Sequence, residues 1–327
     1  MVTARRTLLA AIVGAALLLA GFLFIGPWFS IAGRPDAEHP VTLIVARGDT
    51  LAAAAGKLEQ ADLISSKSRF LLLARLLGPH RPIKAGEYAF YPSGGWRRYL
   101  VTMQSGRSIE RLVTIPEGMP SILVYERLMR APALTGAIAV PAEGSVLPES
   151  YTYQRGEARQ AVLARMQRAM TRTLDRLWRE RKPQSVVKSK QEALILASIV
   201  EKETGKPSER RMVAGVYSNR LQQGMKLDAD PTVIYPITKG KALGRRILQS
   251  ELRADNGYNT YVMAGLPAGP IANPGRASLA AVLDPAPTDA LFFVADGTGG
   301  HVFAATLAEH EANRRKWYAI RHARGEM

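Results

Sequence analysis

A long apolar stretch near the N-terminus constrains this chain more than any other feature. Residues 7–29 carry no charged side chain and are rich in Leu, Ala, Ile and Phe, and a helix of roughly 20 apolar residues spans a bilayer. Arg5 and Arg6 precede the stretch, which predicts an N-terminus in the cytoplasm. A cleaved signal peptide is the alternative, but its apolar core is shorter, roughly 7–15 residues. We therefore expect an uncleaved single-pass helix at residues 7–29, after a cytoplasmic N-terminus at residues 1–6 and before a linker at residues 30–40.

The position of this stretch and the charge of the chain limit the possible partners. No second apolar stretch of this length follows, so the remaining chain is expected on the extracytoplasmic (periplasmic) side of the cytoplasmic membrane. The 327 residues carry a formal net charge of +16 and include no cysteine. Disulfides are therefore excluded, and the basic surface favours anionic partners. Outside the cytoplasm we expect no nucleic acid among them, and a solvated arginine-rich surface without a partner is the alternative.

Residues 41–105 predict a small α+β unit with the order strand, helix, helix, strand. β-branched residues dominate the first predicted strand, and the turn after it offers Asp49 or Thr50 as the cap of a helix that starts at Leu51. The predicted elements are strands at residues 41–46 and 83–92, a helix from Leu51 and a helix at residues 70–77.

This βααβ unit resembles a LysM domain, a small module that binds polymers of N-acetylglucosamine. The resemblance rests on Val45 at the end of the first strand, on Gly48, Asp49, Thr50 and Leu51 at the turn after it, and on residues 84–88 at the start of the second predicted strand. It implies that the glycine, aspartate and threonine of this turn contact glycan. A spacer without glycan affinity is the alternative interpretation of the same turn.

Residues 106–327 predict a larger α+β domain. Apolar residues between Glu157 and Arg181 recur at three- and four-residue spacing, which is typical of a long amphipathic helix. The other predicted elements are a strand leading to a helix cap at residues 111–120, a hairpin of strands at residues 291–295 and 301–304, and a closing helix at residues 306–322.

Two glutamates lie at the end of a helix predicted at residues 191–204. Side chains advance roughly 100° per residue around a helix. Glu203 therefore falls on the apolar face that contains Leu196 and Ile199. Glu201 points to the polar side and is expected to be solvated, so Glu203 is the carboxylate directed at the interior.

A carboxylate directed at an apolar interior has two possible roles. Its burial costs free energy unless the group is paired or protonated, and desolvation raises its pKa toward neutrality. That is the condition of a general acid, although an equal alternative is a buried Glu203 locked to an arginine for structure. Glu209, in the first turn of the next predicted helix, is either a second active-site carboxylate or a capping residue paired with an arginine such as Arg220.

The segment after these helices has a composition that suits sugar recognition. Residues 225–227 and 232–235 are strand-like and are interrupted by Asp230, while residues 258–275 are rich in Asn, Tyr, Gly and Pro. Amide and hydroxyl groups satisfy sugar hydroxyls, and tyrosine rings present an apolar face to a pyranose. An ordered proline-rich loop without a ligand is the alternative. The substrate-binding candidates are Thr204, Glu209, Asn219, Asp230, Thr232, Tyr235, Asn259 and Tyr261.

Three long motifs carry a resemblance to a known family. They are ASIVEKETGKPSERRMVAGVYSNRLQQGMKLDADPTVIY, YNTYVMAGLPAGPIANPG and FFVADGTGGHVFAATLAEH. In this order they resemble the endolytic murein lytic transglycosylases of the MltG, or YceG-like, family. The catalytic carboxylate of that family is followed by Thr, so the resemblance maps it onto Glu203, the residue before Thr204.

The resemblance implies an enzyme that cleaves the β-1,4 bond between N-acetylmuramic acid and N-acetylglucosamine without water. It implies 1,6-anhydro-muramic ends, peptidoglycan glycan strands as substrate, and neither a metal nor a cofactor. Peptidoglycan synthases are the implied partners, whose nascent strands such an enzyme would terminate. Two other classes remain open: a non-catalytic peptidoglycan-binding scaffold, and a water-using muramidase in which Glu209 or Asp230 activates the water.

The membrane anchor predicted at residues 7–29 can be tested by cell fractionation. Because an uncharged helix of this length spans the hydrocarbon core and Arg5 and Arg6 resist translocation, the full chain should remain in the membrane fraction after osmotic shock. Mass spectrometry of the protein purified from that fraction should find residues 1–29 still attached. A soluble mature protein that begins near Gly33 would contradict the anchor.

Overall fold

The computed structural model of the chain describes Gly14 and residues 39–325. Apart from Gly14, the predicted cytoplasmic N-terminus and the predicted membrane helix at residues 7–29 lie outside the described residues, as does most of the linker at residues 30–40. Among the described residues, no helix combines the length and apolar character needed to cross a membrane. The described elements are both helices and strands, which confirms the predicted α+β class.

The chain divides into two compact units. The first unit extends to Arg111 and also includes residues 154–156, and the second contains residues 112–153 and the chain from Glu157 onward. The sequence placed the corresponding boundary after residue 105.

The first unit has the predicted βααβ order. Its two strands, β1 and β2, pair antiparallel, with Val41 opposite Phe90 and Val45 opposite Gly86. A short 3₁₀ helix and α3 follow, and α3 contributes the fully buried Tyr99 to the same core. The elements are β1 (Val41–Val45), α1 (Leu51–Gln60), α2 (Lys67–Leu77), β2 (Gly86–Phe90), a 3₁₀ helix (Pro92–Gly94) and α3 (Gly95–Ser105).

The turn between β1 and α1 is satisfied by its own hydrogen bonds. Thr50 Oγ1 accepts from the Ala53 N–H at 3.2 Å and caps α1, as the sequence predicted. Asp49 Oδ2 accepts from the Ala46 N–H at 2.8 Å and from Lys57 Nζ at 2.5 Å. Gly48 has φ +87°, a backbone conformation that glycine adopts without strain. These contacts explain the turn as local structure, and glycan binding by Gly48, Asp49 and Thr50 stays a prediction.

The second unit contains the long predicted helices and the predicted hairpin. The amphipathic helix α5 buries Val162, Leu163, Met166 and Met170 on one face, as its spacing predicted. Strands β5 and β6 pair antiparallel, with Phe292 opposite Ala304, which confirms the hairpin. The elements are β3 (Glu110–Thr114), α4 (Ser121–Arg130), β4 (Ser150–Gln154), α5 (Arg159–Arg179), α6 (Lys190–Glu203), a 3₁₀ helix (Pro207–Glu209), α7 (Arg210–Gln222), α8 (Asp230–Thr238), α9 (Gln249–Leu252), α10 (Arg276–Leu283), β5 (Phe292–Ala295), β6 (His301–Ala304) and α11 (Leu307–Ala323).

Helix α6 lies at the centre of the second unit. All eight residues from Ala193 to Val200 are buried, so the helix is enclosed on every side rather than on one stripe. It packs against α10 and α7, and Leu196 and Ile199 are completely buried in the core. A helix buried all round is the framework from which its last residue, Glu203, projects.

The prediction of a strand at residues 232–235 is wrong, because this segment lies in the middle of α8. Pro231 occupies the first turn of α8, where its missing N–H and fixed φ favour a helix start. The β-branched residues Thr232, Val233 and Ile234 suggested a strand, but tertiary burial of the first two outweighs that propensity. In the other predicted strand only Lys226 pairs, through an isolated bridge to Ala264.

Truncation of a buried side chain of α6 should lower the free energy of unfolding far more than truncation of an exposed leucine. Leu196→Ala removes a completely buried side chain, and we expect it to lower the free energy of unfolding by roughly 2–5 kcal/mol. Leu112 is 64% exposed, so Leu112→Ala is the matched control and should change stability by about 0.5 kcal/mol or less. Urea denaturation of both variants measures the difference, and equal losses would contradict the central position of α6.

Candidate active site

Helix α6 delivers Glu203 to the site as its last residue. Ser189 caps the helix, because its Oγ accepts from the Glu192 N–H at 3.1 Å. Thr204 then adopts an extended conformation and ends the helix. The carboxyl group is therefore attached to the rigid end of a buried helix, and its position depends little on the loop that follows.

The carboxyl group of Glu203 is largely removed from water. The residue as a whole is half-buried, but Oε1 is buried and has no hydrogen-bond partner among the described residues. Burial raises the pKa of this carboxyl to about 7, and the charge of Asp230 acts in the same direction. The Tyr217 hydroxyl and the Arg220 guanidinium act the other way. Near neutral pH the group therefore exists in both protonation states, as a general acid requires.

Arg220 is a fixed cation close to this carboxyl. It lies on α7, is 8% exposed, and donates to the carbonyl oxygens of Leu291 at 2.7 Å and Leu227 at 3.0 Å. It also pairs with Asp228 Oδ2 at 3.1 Å. The alternative in which Arg220 pairs with Glu209 is therefore wrong. Asp228, at φ +49°, occupies the turn that leads into α8.

Asp230 begins α8 and presents an exposed carboxylate near Glu203. The Tyr261 hydroxyl donates to Asp230 Oδ1 at 2.7 Å, and burial raises the pKa of that hydroxyl, so it stays protonated. A negative charge is favoured at a helix N-terminus. The site thus contains a buried carboxyl with a raised pKa, that of Glu203, and an exposed carboxylate, that of Asp230, which accepts a hydrogen bond from a tyrosine.

Tyr235, on α8, and Tyr258 form an aromatic pair. Their ring centroids are 5.0 Å apart and the rings are tilted by 43°. The Tyr235 hydroxyl interacts with Glu143, a carboxyl whose pKa is raised by burial. Both tyrosines remain partly exposed, and rings in such a position offer an apolar face to a sugar.

Three of the predicted substrate-binding residues instead hold the backbone around the site. Asn219 Nδ2 donates to the carbonyl oxygens of Thr288 and Ala290, at 2.9 and 3.0 Å. Asn259 is completely buried, and its Nδ2 donates to three carbonyl oxygens. Thr232 is also completely buried and shares a hydroxyl–hydroxyl bond of 2.9 Å with Thr260. In these contacts the side-chain amides and the hydroxyl that we predicted to bind substrate are bonded to other parts of the protein.

Thr204 and Glu209 belong to a second polar group beside the end of α6. Thr204 Oγ1 donates to Glu209 Oε2 at 3.2 Å, and the His301 N–H donates to Glu209 Oε1 at 3.0 Å. His301 Nδ1 lies 2.7 Å from Glu209 Oε2. Although partial burial opposes it, the bonds from His301 hold the pKa of Glu209 below its usual range. Glu209 therefore stays ionised and fixes the loop after Glu203 instead of capping α7.

The prediction that Glu201 is solvated is wrong. Its side chain is 5% exposed, its Oε2 accepts from the Gly275 N–H at 2.8 Å, and its Oε1 lies 3.5 Å from Arg210 Nη2. Helical spacing did not predict this burial, because α6 is enclosed from Ala193 to Val200 and the enclosure extends to the Glu201 side chain. The two glutamates differ in their partners: both oxygens of Glu201 are paired, whereas the carboxyl of Glu203 has the Tyr217 hydroxyl beside it and its Oε1 makes no hydrogen bond among the described residues.

Sequence reasoning missed Glu143 and Asn273. Glu143 Oε1 accepts from the Ser121 N–H at 2.8 Å, and Asn273 is completely buried, with Oδ1 accepting from the Val146 N–H at 2.9 Å. Both lie in turn-rich segments without periodicity, so no pattern predicts their burial. Within residues 39–325 and Gly14, no group of three or more His, Asp or Glu residues is arranged to hold a metal ion.

The raised pKa of Glu203 makes stability depend on pH. The folded value of about 7 exceeds the value of 4.5 expected for the unfolded chain, so the favourable contribution of the neutral carboxyl is present at low pH and is lost as pH rises through about 7. The Glu203→Gln variant has no such group. We expect it to gain on the order of 2 kcal/mol relative to wild type between about pH 5 and about pH 8. Urea denaturation at both pH values measures the gain, and parallel pH profiles would contradict the burial of this carboxyl.

Two curated relatives carry the name endolytic murein transglycosylase. The Bacillus subtilis protein is 34% identical over 182 residues, which are 56% of this chain and 49% of the relative. The Streptococcus pneumoniae protein is 26% identical over an alignment of 331 residues, which covers 85% of this chain and 58% of the relative. The chain thus spans about half the length of the curated relatives it matches.

The match also extends to a solved structure and to a family description. A crystal structure of a yceG-like protein from Listeria monocytogenes has a TM-score of 0.53 and 26% sequence identity, and the likeness covers 84% of this chain and 99% of that chain. The sequence description of the YceG-like family matches residues 43–316. Since this match includes both units and most of the chain, the protein belongs to the YceG-like family.

Proposed function

We propose that the protein is an endolytic lytic transglycosylase that cleaves the bond from N-acetylmuramic acid to N-acetylglucosamine in peptidoglycan strands. The observation that carries the proposal is the carboxyl of Glu203, whose Oε1 is buried without a partner and whose pKa is raised to about 7. The names of the two relatives support the substrate class. Family membership supports the same reaction type.

Glu203 serves twice in the proposed reaction. The neutral carboxyl first donates its proton to the glycosidic oxygen, and the bond between that oxygen and C1 of the muramoyl residue breaks. The resulting carboxylate then accepts the proton of the C6 hydroxyl, whose oxygen bonds to C1 and closes the 1,6-anhydro ring. The proton is thereby restored to Glu203 and no water is consumed. A pKa near neutrality suits a group that must give up and regain a proton.

The groups around Glu203 supply electrostatic support for this cycle. Positive charge develops at C1 as the bond breaks, and the exposed carboxylate of Asp230, which accepts from the Tyr261 hydroxyl at 2.7 Å, would offset it. Arg220 limits the rise in the pKa of Glu203 that burial produces. The partly exposed rings of Tyr235 and Tyr258 offer a stacking surface for the sugar.

A water-using muramidase is the second candidate, since Asp230 is an exposed carboxylate that could activate a water. Glu209 is a poorer base for that purpose, because Thr204 and His301 already occupy its oxygens. A non-catalytic peptidoglycan-binding scaffold is the third. The products of turnover distinguish all three.

The cellular setting belongs to the same proposal. The anchor at residues 7–29 would hold the second unit at the outer face of the cytoplasmic membrane, where membrane-bound synthases release new glycan. We propose those synthases as partners and nascent strands as the substrate, so that cleavage terminates elongation. The first unit, with its LysM-like order, would retain a long strand near the site and raise its effective concentration.

Glu203→Gln should abolish turnover and leave the fold intact. Removal of a general acid costs roughly 10²–10⁴-fold in rate, and this group acts in both half-reactions. Glu180 is exposed at the end of α5, so Glu180→Gln is the matched control and should keep the wild-type rate. Mass spectrometry of products from purified glycan strands measures both the rate and the chemistry.

The masses of the products distinguish a lytic transglycosylase from a muramidase. Wild-type enzyme should give 1,6-anhydro ends, which are lighter by one water than reducing ends. Products with reducing ends alone would make the protein a muramidase, and an active Glu203→Gln variant would remove Glu203 from the mechanism.

A further inference from the structure

A groove in the second unit runs beside the candidate active site. It has a volume of about 460 Å³, within the usual range for ligand pockets, roughly 300–1,000 Å³. The lining is mainly apolar and includes Met119, Leu123, Pro231, Ile234 and Leu243. Such a lining suits a ligand with small apolar groups better than a bare chain of sugar hydroxyls.

Two residues that line this groove are next in sequence to the two carboxyl residues of the site. Lys202 lines the groove and directly precedes Glu203, and Pro231 lines it and directly follows Asp230. Tyr235, one of the two paired tyrosines, is part of the same lining. A ligand in the groove would therefore adjoin a sugar placed at Glu203.

The walls of the groove are held close together by two glycines. Gly240 has φ +82°, and a Cβ there would lie 2.6 Å from Pro120 Cβ, so only glycine fits. Gly118 has φ +70° and donates its N–H to the carbonyl oxygen of Asn273 at 2.9 Å. Ile271, which is 2% exposed, contributes to the lining. These backbone positions and the buried Ile271 help to shape the groove.

The charged side chains along the groove differ in whether they have an ion-pair partner. Lys241 Nζ is paired with Glu126 Oε1 at 2.7 Å, and Glu117 Oε2 is paired with Arg210 at 3.0 Å. Lys202 is exposed and makes no hydrogen bond or ion pair with the part of the chain that the structure describes, residues 39–325 and Gly14. The groove therefore presents an apolar wall and a free ammonium group, which complement a ligand that carries methyl groups and a carboxylate.

We propose that this groove binds the peptide stem of the muramoyl residue at the cleaved bond, with a stem carboxylate on Lys202. The proposal rests on the proposed function and adds that the preferred substrate is a peptide-bearing strand. The glycan backbone offers hydroxyl and acetamido groups, whereas the stem supplies the small apolar side chains and carboxylates that the lining complements. The lactyl group alone, which remains on strands stripped of peptide, is too small to fill about 460 Å³.

The test compares peptide-bearing strands with the same strands stripped by an amidase. The quantity measured is the ratio of kcat/KM for the two substrates with the full chain. Lys202→Ala removes a charge-assisted hydrogen bond, so this ratio should fall about tenfold relative to wild type. Leu123→Asp, on α4, should lower the ratio as well, because it places a negative charge in the groove without altering α6.

Lys188→Ala is the matched control for the loss of charge. Lys188 is an exposed lysine just before the opposite end of α6, so its removal should leave the ratio unchanged. Calorimetry adds a readout that does not need turnover. Glu203→Gln protein should bind a soluble muramoyl-peptide fragment at least about tenfold more tightly than the stripped saccharide, and the double variant with Lys202→Ala should lose that preference.

The outcomes separate this inference from the proposed function. Cleavage of both substrates with an unchanged ratio in Lys202→Ala and Leu123→Asp would overturn peptide binding and leave the transglycosylase intact. Equal binding of the two fragments by Glu203→Gln would overturn it as well. Absence of any 1,6-anhydro product would overturn the proposed function, while the calorimetry would still test the groove.

Discussion

The structure of the site depends on removing one carboxyl group from water at the end of a buried helix. Glu203 Oε1 has no partner among the described residues, and a buried charge without a partner is costly. The group avoids that cost by keeping its proton up to about pH 7, since burial raises its pKa to about 7. The burial of α6 on all sides from Ala193 to Val200 makes this possible, because it keeps the end of the helix from moving toward solvent.

Fixed charges and hydroxyls around this carboxyl have positions set by contacts elsewhere in the fold. Thr232 and Thr260 share a buried hydroxyl pair that secures the start of α8, and this places Asp230 where the Tyr261 hydroxyl holds it. Arg220 is held by backbone carbonyl oxygens as well as by a carboxylate. Most polar residues of the site thus position the reacting groups, while few of them remain free for a substrate.

The two neighbouring glutamates of α6 show that burial alone does not indicate function. The side chain of Glu201 is 5% exposed, and a backbone N–H and Arg210 satisfy it. Glu203 lies two residues away and has a buried oxygen that nothing in the described chain satisfies. A buried polar atom left without a partner in a folded protein calls for a functional explanation, and a reacting substrate provides one.

Local patterns in the sequence are enough to predict the features that depend on neighbours a few residues apart. Helix α6, the buried stripe of α5 and the hairpin of β5 and β6 each follow from local spacing and turn chemistry, and all three are present. The interior direction of Glu203 followed in the same way.

Contacts between distant segments depend on how the folded chain packs, and local patterns did not predict them. Glu209 binds His301, which lies 92 residues later, rather than Arg220. Glu201 is held by Arg210, at the start of α7, and by the Gly275 N–H just before α10. Residues 232–235 are helical in a segment where Pro231 favours a helix start and the packing buries Thr232 and Val233. Such contacts are fixed by the packing of the whole unit, which a local pattern of residues does not encode.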